Sequence, residues 1–404
     1  MWRTGTRLDA RGTASAIIGT LALLMAYTDA VGQEGIASDS VHLYRYAGVD
    51  QRLPWSAVEL WRVGETLQSS AVVQFESTPQ PWDVATDSSG SVYIADRTQV
   101  YVVSSDGRSV GAVGRPGPGP GEFGSGVFGL DIAGDTALVV RVAGALVRWR
   151  LPDLTLLPQV RIGAAYAFQD LRMAKDGFLF SSVSRAVLDQ KVRDTNRLLR
   201  WEGGTSRVVF EGSSHDKTEA GPESVCFPGV LFAKLFAPTL NWDKRGDVLA
   251  VAHDDSYTID VIIDGGRHVR IERAIEPRKV TRDMALRAAA FDEALAWGPP
   301  GDKCITTPEQ AVRLWGYSEF LQPIGALRLS AAGHVWVLRG RVADEPYAID
   351  ILTVAGEYLG TVEGLPMPVA FGPDGRMVVV ETDELGVPSV TVYQVRQPSG
   401  VLPW

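Results

Sequence analysis

Five histidines, His42, His215, His253, His268 and His334, are the residues of this 404-residue chain best suited to moving protons or holding a metal. None stands in a His-x-His or His-Glu-x-x-His spacing, so no local zinc motif is present. His253 is followed by Asp254 and Asp255, a set that reads either as a small metal cluster or as a solvated turn. No Gly-x-Ser-x-Gly elbow occurs, which removes the simplest serine-hydrolase signal. The Gly/Pro-rich run Gly114–Gly121 lacks both the Lys-Ser/Thr ending and the helix of a phosphate loop, and reads as a stiff linker. Its following Glu122-Phe123 is expected to anchor the next structural unit. Ligands gathered from distant parts of the chain remain open, so the elements that would bring them together decide the question.

Those elements repeat. Pro81–Asp96 and Gln99–Val113 contain four short β-rich runs separated by Asp/Ser/Gly turns, the content of one four-stranded propeller blade. The glycine of the first turn recurs at Gly90, Gly134, Gly177, Gly246, Gly333 and Gly375, at spacings of 44, 43, 69, 87 and 42 residues. Three of these match a propeller period, and an apolar strand follows each glycine. The longest gap holds helix formers rather than strands. Thr281–Trp297 starts with a Thr cap, and Pro308–Trp315 has proline in its first turn with Thr306 or Thr307 as cap. The expected fold is all-β: a six-bladed β-propeller over 58–396 with a small helical insertion between blades four and five. The last unit has only three strands, so an N-terminal strand, Val41–Tyr46 or Val58–Val63, is expected to complete it and close the ring. Residues 33–57 are the segment before it and 397–404 a tail.

The run Pro-x-x-Val-Ala-x-Asp-x-x-Gly-x-Val-Tyr-Ile-Ala-Asp of Pro81–Asp96 is similar to an NHL-type repeat. Gly-Pro-Gly-Glu-Phe at Gly119–Phe123 resembles the linker of secreted bacterial six-bladed propellers of unassigned function. That resemblance implies architecture and little chemistry. Residues 81–96 also resemble the start of calcium-dependent gluconolactonase-like propellers. Their metal-binding Glu has no clear counterpart, since Ser77-Thr78-Pro79-Gln80 precede Pro81 and the nearest acid is Glu76. Their inner-strand Asn residues are not evident either.

In propellers the turns between second and third strands gather on one face with the blade-to-blade connections, where ligands commonly bind. The register puts Arg97, Arg141, Arg185, His253, Asp254, Arg339 and Glu381 there. Arg97, Arg141, Arg185 and Arg339 make a basic arc suited to an anionic group; alternatively they pair with carboxylates and lock blade to blade. Two insertions, about 212–235 and 275–322, fall on that face, and each carries one of the two cysteines. Cys226 and Cys304 form a disulfide tying a cap together, or remain free thiols. Aromatics of the insertions, Trp315 and Tyr317 among them, line a pocket or pack helices on the ring.

Composition bounds the rest. With 45% apolar and 22% charged residues the chain is globular, and a net charge of −9 argues against nucleic acid. Arg3, Arg7 and Arg11 precede a 14-residue apolar run, Ala14–Tyr27, too short for a stable span, with small residues at Ala30 and Gly32. Residues 1–32 therefore read as a signal peptide, cleaved or retained as an anchor, and the remainder as exported, periplasmic or extracellular. The expectation is a monomeric, non-catalytic recognition protein without a cofactor, binding a protein segment, peptide or glycan through its loop face. The alternatives are a metal-dependent hydrolase or lyase at the channel mouth, with Ca²⁺, and a structural assembly module.

Overall fold

The computed structural model describes residues 41–64, 75, 83–96, 98–124, 126–162, 168–188, 191–219, 231–290, 307–382, 387–398 and 400–401. The 1–32 segment, Arg97, Cys226 and Cys304 lie outside these residues.

Each hairpin forms for local reasons. In the first, Asp87 Oδ1 accepts from the backbone N–H groups of Ser89 and Ser91 at 2.9 and 3.0 Å, and Asp87 Oδ2 accepts from the Tyr93 hydroxyl at 2.8 Å. Gly90 takes φ 82°, a left-handed value that a side chain disfavours. The other five marker glycines also have positive φ. All six mark a turn from a first to a second strand.

The described residues form a β-propeller of sheets with four or five strands each, antiparallel apart from one added parallel edge strand. In chain order the sheets begin with the inner strands Asp83–Thr86, Gly129–Ala133, Phe168–Ala174, Trp242–Arg245, Ile324–Leu329 and Ala370–Phe371. We number these first to sixth. A two-stranded ribbon, Arg278–Lys279 with Phe320–Leu321, is separate.

The core is distributed around the ring. Alternate side chains of a strand face opposite ways, so a sheet buried on both faces needs apolar residues at every position. Val92 and Ile94 pack toward the sixth sheet, and Tyr93 and Ala95 toward the second. Comparable clusters fill the gaps between the second and third, third and fourth, fourth and fifth, and fifth and sixth sheets. Phe123, fully buried, inserts between the first and second sheets and meets Trp149 edge-on at 5.6 Å, so Phe123 anchors the second sheet while Glu122 ties the linker to itself through Arg115 and Gly119.

Closure comes from the N-terminal segment, which works as a strap. Ser56–Val63 pairs antiparallel with Pro388–Gln397 and supplies the outer strand of the sixth sheet. Val41–Tyr46 adds a fifth, parallel strand to Arg267–Arg273 of the fourth sheet, a pairing the sequence did not announce. Between them, Leu53 N–H donates to Thr361 O at 2.8 Å and Thr361 N–H to Gln51 O at 2.7 Å, at the edge of the fifth sheet. Residues 41–63 thus run along the edges of three consecutive sheets and cover backbone groups that would otherwise be open.

Two expectations need correction. Gly212–Glu219 is not insertion loop but the continuation of a long strand, Thr205–Glu219. Arg185 is not in a turn. It lies inside the strand Gly177–Leu188, because the hairpin to Lys191–Glu202 runs well past the usual blade length. This extension accounts for the 69-residue spacing. In the later insertion, α1 (Arg282–Ala290) and α2 (Pro308–Trp315) are helices. Thr307 caps α2 in a reciprocal box with Gln310. Trp315 is buried against α1 with Phe236 and Tyr317 alongside, which is helix packing.

Candidate functional site

The charged residues expected at the second-to-third turns are held one by one. Arg141 closes the strand Ala137–Val142, buried, with its guanidinium 5.2 Å from the Phe128 ring centre; burial pushes its pKa down to about 10. Arg185 forks onto buried Asp194 at 2.8 and 3.1 Å. His253 Nε2 lies 2.8 Å from Asp260, which also takes His268 at 2.8 Å and a fork from Arg270 at 2.8 and 2.9 Å. Asp254 accepts from Ser213 N–H at 2.8 Å and Ser213 Oγ at 2.6 Å, joining the third sheet to the fourth. Arg339 binds Asp350 and, in the strap, Asp50. Glu381 accepts from Thr391 at 2.9 Å and from the Tyr393 hydroxyl at 3.2 Å, with Arg62 of the strap 3.4 Å away.

A second set of charges, on the inner strands, faces the channel. Asp83 accepts from Leu130 N–H at 3.0 Å, linking the first sheet to the second. Asp131 accepts from Met173 N–H at 2.6 Å, second to third. Arg172 donates to Asp243 at 2.8 Å, third to fourth, and Asp243 accepts from Leu329 N–H at 2.8 Å, fourth to fifth. Arg328 donates to Val369 O at 3.1 Å, and Thr86 Oγ to Phe371 O at 2.6 Å, which completes the circuit. Each inner strand thus donates or accepts one polar link per junction. The signal was present in the sequence as a charge inside an apolar run, as in Leu130-Asp131-Ile132, Leu171-Arg172-Met173 and Leu327-Arg328-Leu329. Turn chemistry does not reveal it, because these charges lie within the first strands and find their partners on the neighbouring sheets.

Inside this ring is a cavity of about 640 Å³, lined from mid-channel to the turns between first and second strands. That is the end opposite to the one expected. Arg172, Lys175, Lys244, Arg245 and Arg328 line it together with Asp131, Asp135, Asp243 and Asp247. Burial disfavours the Arg172 charge, but Asp243, Asp83 and Asp131 outweigh this and hold its pKa above the ordinary arginine value. Burial raises Asp83, with Arg172 offsetting part of the effect. Burial likewise raises Asp131 from 3.8 to about 6, again against Arg172.

The Asp131 shift has a defined sign. An acid whose folded pKa exceeds its unfolded one is best tolerated below about pH 4, and its cost to stability grows as pH rises to 6. Two pKa units correspond to about 3 kcal/mol. Asp131→Asn keeps an oxygen for Met173 N–H but cannot ionise. Its melting temperature relative to the parent should therefore be higher at pH 7.5 than at pH 4.5; an unchanged difference would contradict the burial account.

The channel carboxylates do not fit a calcium ion. Asp83, Asp131 and Asp243 already accept backbone N–H groups, and the Arg172 guanidinium holds the cationic position beside them. Among the described residues no three His, Cys, Asp or Glu side chains are placed to hold a metal.

No protein-family model and no curated protein matches the chain. Solved structures do. A Bacteroides fragilis protein provisionally described as exported is 12% identical, with 89% of this chain and 99% of that one covered at a TM-score of 0.48. A protein provisionally described as a gluconolactonase is 14% identical over 87% and 95%, at 0.39. The β-propeller domain of Cps50 (Swd1) from Myceliophteria thermophila is 9% identical over 80% and 98%, also at 0.39. At such identities the likeness is one of fold.

Proposed function

We propose that this protein is an exported, monomeric six-bladed propeller with NHL-like repeats that binds rather than catalyses, engaging a peptide, protein segment or glycan. The observation that carries the reading is the channel cavity, about 640 Å³ and open at one end, with charged walls fixed by strand-to-strand hydrogen bonds. A polar cavity whose walls are already ordered loses little entropy on binding. The ion pairs of Arg185 and Arg339, and the contacts of His253, Asp254 and Glu381, favour a scaffolding role for the opposite face. Arg97, which lies outside the described residues, is kept as a candidate for ligand contact there, and Arg141, although buried beside Phe128, as a second.

The test is a panel of acidic and neutral glycans and peptides applied to the purified protein, read by melting temperature with Ca²⁺ or EDTA, and by product analysis. Ligands that bind the folded state raise its apparent stability. Stabilisation without turnover and unaffected by EDTA is expected. Calcium-dependent hydrolysis of a lactone or ester would replace the binding reading with the enzymatic one.

A further inference from the structure

The ring's polar links leave one class of charge unbalanced. Arg245 projects from the fourth sheet across the channel, and its Nη1 donates to Phe371 O of the sixth sheet at 2.9 Å. That carbonyl is the one acceptor the described residues give it, and no carboxylate stands within ion-pair distance. The rest of its five N–H donors, a fork matched to a planar anion, are unspent. Arg328 is similar: it donates to the carbonyls of Val369 at 3.1 Å and Leu327 at 2.7 Å, with no carboxylate partner. Lys244 meets only the Gly246 carbonyl, and exposed Lys175 has no ion pair among the described residues.

A guanidinium removed from water without a carboxylate in direct contact is costly: burial disfavours the Arg245 and Lys244 charges, and Asp243, Asp131 and Asp135 near the first and Asp264 and Asp247 near the second offset only part of this. Of the lining carboxylates, Asp243 is matched by Arg172, Asp131 accepts from Met173 N–H, and Asp135 accepts from Ser88 N–H at 2.9 Å. Arg245 and Arg328 are thus lining arginines that make no ion pair among the described residues, while Arg172 is taken up by Asp243 and Asp83.

Resting on the binding reading above, we propose that the channel cavity is a carboxylate-binding site in which Arg245, seconded by Arg328, receives one carboxylate monoanion of the ligand. The acids Asp131, Asp135 and Asp243 near Arg245 repel a phosphate dianion more strongly than a carboxylate monoanion, so the lone guanidinium fork suits a carboxylate better. The cavity volume admits one sugar acid or one acidic side chain with its backbone.

The experiment titrates the full protein with galacturonate for a glycan source and N-acetylglutamate amide for a peptide source. Galactose and N-acetylglutamine amide serve as neutral isosteres, and inorganic phosphate as the dianion. At least one carboxylate probe should raise the melting temperature while both isosteres leave it unchanged, and which probe succeeds identifies the source. Arg245→Gln should weaken that probe at least tenfold, with Arg245→Lys intermediate because it keeps charge but loses the fork. Arg328→Gln, expected to weaken it several-fold, keeps the test decisive if Arg245→Gln fails to fold. Equal shifts from the neutral isosteres, stronger binding of phosphate, or unaltered affinity in both glutamine variants would overturn the site. If glycans or peptides bind the glutamine variants as tightly as the parent, the carboxylate site falls and the recognition reading stands.

Discussion

Replacing Arg172 with methionine should destabilise the protein by about 3–5 kcal/mol at pH 7.5, and by clearly less at pH 5. Its side chain is only 11% exposed, and it lies 2.8 Å from Asp243 and 3.8 Å from Asp83, with Asp131 also acting on it. Methionine fills similar volume, so the loss is chiefly one of charge. Without the guanidinium, the buried carboxylates beside it hold protons to higher pH than they would in the unfolded chain. The sign follows from that. The penalty is absent while those carboxyls are protonated and grows as pH rises through their folded pKa values. Urea unfolding of both proteins at the two pH values measures it. An identical gap at pH 5 and 7.5 would mean that Arg172 acts through packing alone.

The second large effect should come from Asp350→Ala, again about 3–5 kcal/mol, because it takes from a buried cation its only fully buried counter-charge and leaves it the half-exposed Asp50. Asp350 and the Arg273 side chain are both fully buried and 2.6 Å apart. Asp350 also accepts from Arg339 at 2.8 Å, from the Tyr257 hydroxyl at 2.6 Å and from Thr361 at 2.6 Å. Arg273 lies over the Tyr358 ring at 4.0 Å and reaches Asp50 of the strap at 3.1 Å. This cluster joins the fourth sheet to the fifth and holds the strap across both. Pairing Asp350→Leu with Arg273→Met removes both charges and should recover a substantial part of the loss relative to Asp350→Ala. Chemical denaturation decides. A cost below about 1 kcal/mol for Asp350→Ala would show that the strap is held by its backbone pairing and not by the cluster.

Much of the architecture was legible in the residues. The turn glycines and the apolar runs after them are local signals: a left-handed turn needs glycine, and a strand buried on both faces needs continuous apolar residues. Counting showed that the last unit had one place to fill and offered Val41–Tyr46 or Val58–Val63 for it; the pairing of Ser56–Val63 with Pro388–Gln397 selects the second. A threonine cap before Pro308 was readable as Thr306 or Thr307, and the reciprocal box with Gln310 selects Thr307.

What only the tertiary structure decided involves partners far apart in the chain. The parallel pairing of Val41–Tyr46 with Arg267–Arg273 spans more than two hundred residues and leaves no periodicity to read. The roles of the arginines were the least legible. Arg339 stands at a strand end and Arg245 on an inner strand, and composition treats them alike. Strand pairing within the fifth sheet places Asp350 beside the first, and the closed ring sets a carbonyl of the sixth sheet beside the second. Local sequence determines which residues form strands and turns, because those choices are made within a few residues. Whether a charge is spent as scaffold or left for a ligand is fixed by what the closed ring sets opposite it.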